Sequence, residues 1–384
     1  MAAPLCPVFS SQLEVAMSPL YVKDTFSSLT KYLAYPNIDQ YQWWHEKGPL
    51  LGKMLEYCHY SDREQYQYLT LFSQHLIPSL GTLREQQPGE KGSTLLAGAG
   101  SLELSLTFTS SNASLRIAFE PTSFLAGTTQ DRYNKRPTRD LVGLLDKLEG
   151  VLLNADIFRV LENRLVVSDH DERILETDRH AEASKVFYKT QNILALELID
   201  GFVQPEIYIY PQMKSIATEI DTKTMIFDAI MELDSQRRFI TGLNILQSYL
   251  RTAPSSAGCM FLSHMLNESS PEVARVYISE SSVTWNRVSD LWTLGGRLND
   301  TKGLDIAKKL WDILEVEEGH VGANGFPLLF TMTLSRNKPF VVPKIGIPMG
   351  NRTEIAIAHA CVQLFSDLGW KHHADSYISS LKAF

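Results

Sequence analysis

Leu102, Leu104 and Leu106 alternate with Glu103, Ser105 and Thr107. After the polar turn Ser110-Ser111-Asn112-Ala113 the alternation resumes, with Leu115, Ile117 and Phe119 set against Arg116, Ala118 and Glu120. Successive side chains of a strand point to opposite faces, so residues 101–121 read as a hairpin with one apolar face and one face carrying a carboxylate and a guanidinium. An ordinary half-buried hairpin shows such a polar face to solvent. The alternative is a polar face that lines an enclosed lumen.

The pattern returns three times. Residues 184–199 and 202–212 turn at Asp200-Gly201, and in the return strand Glu206, Tyr208 and Tyr210 oppose Ile207 and Ile209. Residues 259–266 and 274–280 set Arg275, Tyr277 and Ser279 against Val276 and Ile278. Residues 327–334 and 341–348 set Lys344 and Gly346 against Ile345 and Ile347.

Helical spacing fills the intervals. Residues 1–100 are mostly helical: Asn37 opens a helix through Trp43 and Trp44, with Leu50, Leu51, Met54, Leu55 and Cys58 recurring on its apolar side. Ser61-Asp62-Arg63-Glu64 has the form of a capping box, and Pro78 and Gly81 stop the helix that follows. Residues 86–100 read as a loop, 139–153 as an amphipathic helix and 157–178 as a mixed helical region. Further helices fall within 222–250, at 303–316 and at 354–369, before a short tail, 370–384. Trp43, Trp44, Tyr66, Tyr68 and Phe72 read as helix-packing residues.

Helices followed by two strands, repeated with a period of roughly 70 residues, make an internal repeat. Antiparallel hairpins with helices between them can close a barrel, aliphatic faces outward to the helices and polar faces inward. This α+β barrel, a single domain over 1–384, is the expected architecture; an open α+β sheet with one wet face is the alternative.

Composition narrows the function classes. The chain of 384 residues is 44% hydrophobic and 21% charged, as a globular protein is. A net charge of −8 gives no electrostatic case for nucleic acid or an anionic membrane, so an anionic substrate must be drawn in by local basic residues. Cys6, Cys58, Cys259 and Cys361 form no CxxC and suggest reduced thiols. The N-terminal residues show no basic-then-apolar signal pattern, and no apolar run is long enough to span a bilayer. A cytoplasmic protein is expected. His372-His373 read as a solvated pair, Gly295-Gly296 and residues 322–325 as turns rather than phosphate cradles, and His264 is ambiguous between the two faces of its strand.

The repeat, the WWxxxGxxL run at 43–51, YSDREQYQYLTLF at 60–72 and TLGGRLN at 293–299 together resemble the fungal dimethylallyltryptophan synthase family, over about residues 20–370. These are aromatic prenyltransferases of the ABBA, or PT-barrel, fold. The resemblance implies that an allylic diphosphate ionises in the lumen and that an electron-rich aromatic acceptor, usually indole, attacks the cation. It implies no metal and no cofactor, because Arg and Lys take the diphosphate charge. Tyrosines shield the cation, and a glutamate accepts a hydrogen bond from the indole N–H. Residue by residue, Glu103 falls on that glutamate, Arg116 on the basic residue of the same hairpin, and Tyr208 and Tyr277 on shield tyrosines with Tyr210 beside the first. Arg275 and Lys344 fall on cationic positions of the third and fourth hairpins.

Other positions depart from the family. Glu206 stands where the second hairpin carries Lys, and Val273 where the third has its first basic residue. Ile193 replaces a lysine often linked to deprotonating the arenium intermediate, and Gly346 replaces a shield tyrosine. The sequence also ends before a fifth hairpin, so either a smaller closed barrel or two unpaired edges is expected, and a second copy of the chain could cover the edges. A carboxylate facing a diphosphate at close range costs several kcal/mol. Glu206 therefore needs protonation, a pairing with Arg275 or Arg116, or a different task. Three readings follow: an aromatic prenyltransferase with altered diphosphate binding; an enzyme of the same fold that cyclises or isomerises a metabolite with Glu103 and Glu206 as acid and base; and a non-catalytic binding subunit.

Overall fold

The computed structural model describes residues 24–83, 101–186, 190–234, 236–268, 270, 272–321, 327–335, 338–347, 349 and 352–383. Its strands are β1 (Leu102–Phe108), β2 (Ala113–Phe119), β3 (Asn192–Ile199), β4 (Phe202–Ile209), β5 (Ala257–Met265), β6 (Glu272–Glu280), β7 (Ser282–Val283), β8 (Gly319–His320), β9 (Leu328–Ser335) and β10 (Lys338–Gly346). The short β7 and β8 pair with each other, and the other eight form one antiparallel sheet in chain order, β1-β2-β3-β4-β5-β6-β9-β10. The four expected hairpins are all present.

The alternation works as read. Ile117, Phe119, Leu196, Ile207, Val276, Ile278, Phe330 and Met332 turn to the helices and join a core with Trp44, Leu51, Phe72, Leu161 and Leu246. Fully burying an aromatic or branched side chain in such a core contributes about 1.5–3 kcal/mol. A separate apolar group occupies the opposite face: Ala118, Ile193, Ala195, Tyr208, Phe261 and Tyr277. Two distinct clusters on the two faces mean that the inner face is covered rather than wet. His264 pairs in register with Ile207 and Ala274 and so belongs to the helix-facing side.

Local signals hold at most helix ends. Ser61 N–H donates to Glu64 Oε2 at 2.8 Å and Glu64 N–H to Ser61 Oγ at 3.4 Å, the reciprocal capping box that opens Asp62–Leu71. Trp43, Trp44, Tyr68 and Phe72 are buried in helix packing, while Tyr66 is exposed. Asp200 and Gly201 take φ of 50° and 80°, the two left-handed positions of a tight hairpin turn. TLGGRLN is a helix terminator. Leu294, Gly295 and Gly296 all have positive φ, and Gly295 N–H donates to Asp290 O at 2.8 Å.

Three expectations need correction. Strand β3 starts at Asn192 rather than 184: His180–Ala183 is a short helix, and Val186 packs with the cluster of Tyr133, Val167, Leu175 and Met213 instead of extending the sheet. Strand β4 ends at Ile209, since Pro211 has no N–H for a ladder and leads into helix Gln212–Thr218. The tail is a helix, Lys371–Ala383. It returns from helix Glu354–Asp367, and Phe365, His373 and Tyr377 pack around Phe108 at the end of β1. His373 is accordingly buried, its Nε2 2.9 Å from Thr109 O, and only His372 of that pair is exposed. Closure falls on one of the two expected outcomes. Among the described residues β1 pairs only with β2 and β10 only with β9, which leaves two edges rather than a smaller closed barrel. Residues 86–100 and 322–325 lie outside the described residues. No helix among the described residues is long and apolar enough to cross a membrane.

Candidate active site

Register places the inner-face side chains in rows. One row runs Glu103, Ala118, Ala195, Glu206 and Met265 across β1 to β5. The next runs Ile193, Tyr208, Ser263, Arg275 and Thr333 across β3 to β9. A third runs Phe261, Tyr277, Thr331 and Lys344 to β10. Arg116 stands on β2 opposite Glu197 of β3. Small side chains between large ones, Ala118 and Ala195 above all, let long side chains from β2 and β6 converge over β4.

They converge on Glu206. Its side chain is fully buried, and its Oε1 accepts from Arg275 Nη1 and from Ser263 Oγ, the latter at 2.5 Å. Its Oε2 accepts from Tyr208 OH at 3.2 Å and lies 3.6 Å from Arg116 Nη2. Arg116 Nη2 also donates to Tyr208 OH, its guanidinium carbon sits 5.0 Å from the centre of the Tyr208 ring, and Tyr277 OH is 3.4 Å from Tyr208 OH. Arg275 Nη2 is 4.0 Å from Glu197. Burial by itself would push the Glu206 carboxyl up, but Arg275 first, then Arg116 and the Ser263 hydroxyl, hold it below the ordinary glutamate value. It is therefore a carboxylate at neutral pH, with both oxygens occupied. Burial, and after it the Glu206 charge, pushes the Tyr208 and Tyr277 phenols up, so both remain neutral.

Beside this polar knot stands an aromatic stack. Phe261 lies between Tyr277, at 4.2 Å and an interplanar angle of 16°, and Tyr210, at 4.3 Å and 27°. Tyr208 closes one side, 5.7 Å from Tyr277. Neutral ring faces in a space shielded from water can stabilise a carbocation.

Arg116, Glu206, Tyr208, Arg275 and Tyr277 thus meet, and Tyr210 joins through Phe261. Two predicted residues stand apart. Glu103 is half-buried at the far end of the Glu206 row, with no hydrogen bond or ion pair among the described residues. Lys344 is exposed on the edge strand, in the row of Tyr277 but outside the guanidinium–carboxylate knot. The sequence reading missed Ser263, Phe261 and Glu197. The alternation of Phe261, Ser263 and Met265 along β5 is the sequence signal that points to the first two. Surface depressions around Ile216 and around His372 lie away from these rows.

A curled antiparallel sheet with helices on its outer face and cations, phenols and carboxylates on its inner face defines the ABBA prenyltransferase class of barrel. The match of a family model for tryptophan dimethylallyltransferase to residues 39–380 places the chain in that family. Among curated relatives, prenyltransferase malB of Malbranchea aurantiaca is 44% identical over 94% of this chain and 98% of its own. Prenyltransferase phqA of Penicillium fellutanum is 40% identical over 96% and 92%. The crystal structure of AnaPT from Neosartorya fischeri superposes with a TM-score of 0.83 at 27% identity, covering 94% of this chain and 89% of that one. NotF, solved in complex with brevianamide F and DMSPP, superposes with a TM-score of 0.79 at 29% identity over 94% and 90%.

Proposed function

We propose that the protein is an aromatic prenyltransferase that alkylates an indole-type acceptor with an allylic diphosphate. The observation that carries the reading is the conjunction, on one covered face, of two guanidiniums, a neutral tyrosine–phenylalanine stack and a separate carboxylate without a partner among the described residues, in a chain of this family. In this reaction the C–O bond to diphosphate breaks, a C–C bond to the ring forms, and the ring loses one proton. Arg116, Arg275 and Lys344 take the leaving group's charge. Tyr208, Tyr277 and Tyr210 face the cation. Glu103 accepts from the indole N–H, which raises the nucleophilicity of the ring.

The competing cyclase reading, with Glu103 and Glu206 as acid and base, is disfavoured. A carboxylate that accepts three hydrogen bonds, has a second guanidinium 3.6 Å away and is held below the ordinary glutamate pKa has no proton to give at neutral pH. The relatives are also prenyltransferases by name. The test is incubation with dimethylallyl diphosphate and brevianamide F, the acceptor bound in the NotF structure, followed by mass spectrometry. A product heavier by one prenyl unit is expected; no product with this or other tryptophan-derived acceptors sinks the reading. Closure of the sheet edges by a second copy of the chain remains part of the proposal. It is checked by light scattering, and a strictly monomeric active enzyme removes it.

A further inference from the structure

The two lumen guanidiniums nearest the aromatic stack are the natural seat for a leaving diphosphate, yet both are engaged by one internal anion. Glu206 is fully buried between them, with Arg275 and Ser263 on one carboxylate oxygen and Tyr208 and Arg116 on the other. Glu197 stands 4.0 Å from Arg275. Among the described residues two carboxylates therefore face the two guanidinium charges at this seat, and the pair's charge is largely taken up internally. The knot is also hard to open. Arg275 is only 12% exposed and Arg116 24%, and the Glu206 side chain has no exposed surface.

We propose that Glu206 is a specificity-determining residue that tunes the lumen against anions: the diphosphate binds in competition with an internal carboxylate, and its affinity is set by Glu206 rather than by the number of cations. This rests on the transferase reading for the identity of the anion. The chemistry requires only a polyanion at the guanidiniums.

The experiment is isothermal titration of inorganic pyrophosphate into the wild-type protein and into Glu206→Gln, each checked for folding by its thermal transition. Gln keeps the size and one accepting oxygen but removes the charge. The expected result is weak wild-type binding and an affinity about tenfold or more higher in the variant, since a neutralised neighbour at this distance shifts the balance by at least one order of magnitude. A gain separates this role from a structural one, because mere damage to the knot lowers affinity. Unchanged or weaker binding in a folded variant overturns the proposal. If the variant does not fold, the wild type alone decides: tight, low-micromolar pyrophosphate binding overturns the proposal, and binding too weak to saturate upholds it. Turnover with donor and acceptor is measured in parallel. A variant that binds pyrophosphate more tightly while neither form alkylates an indole would leave this inference standing and remove the transferase reading.

Discussion

Glu103 and Glu206 occupy one row of the inner face, separated by Ala118 and Ala195 and by about 14 Å of sheet, three inter-strand spacings. Chemically they are the same residue, and strand alternation treats them identically. Glu206 lies under two guanidiniums, a phenol and a serine hydroxyl, and is ionised with both oxygens engaged. Glu103 lies on the edge strand, half-buried and without a partner among the described residues. The difference teaches that a carboxylate's task in this lumen follows from what reaches over the intervening strands. A residue that is satisfied by the protein holds the site together or limits it; one left unsatisfied is available to a ligand.

That comparison can be broken in several ways. Glu206→Ala should have the largest effect, about 3–5 kcal/mol of lost stability in urea denaturation, because it leaves Arg275 and Arg116 without their anion in a covered space. Glu103→Gln should do the reverse. Catalytic efficiency towards an indole acceptor should fall about a hundredfold or more, with a thermal transition close to wild type. If Glu103→Gln destabilises the protein and leaves turnover intact, the two carboxylates have been assigned the wrong way round.

Tyr208→Phe removes the hydroxyl shared by Glu206, Arg116 and Tyr277 and should cost about 2 kcal/mol. Ser263→Ala removes a single neutral donor to Glu206 and should cost about 1.5 kcal/mol, the smallest change. The pH dependence sharpens the same point. The Glu206 carboxyl is held below its unfolded value, so its contribution is complete above the unfolded pKa of about 4.3 and is lost as pH falls through the lower folded value. The stability gap between wild type and Glu206→Gln should therefore be constant from neutral pH down to about 5 and shrink below about 4. A gap that widens on acidification would contradict an ionised Glu206.

Much of this molecule was legible from its residues alone. Alternation along Leu102–Phe108 and Ala113–Phe119 and its three repeats determined the hairpins and which side chains share a face, because the side-chain period of a strand is two whatever surrounds it. The capping box at Ser61 and the turns at Asp200-Gly201 and Gly295-Gly296 were equally local, and so were readable. What only the tertiary structure decided is contact across strands that are not neighbours. Arg116 meets Glu206 over β3, and Arg275 meets it over β5, and no spacing along the chain encodes either approach. The helix at Lys371–Ala383 and the burial of His373 against β1 likewise depend on packing between the last helices and the first strand, far apart in sequence. Glu206 could be read as a carboxylate in need of a partner. Its actual partners, and with them its ionised state, depended on how the sheet curls, because pairing energies are set by distance and burial rather than by residue type.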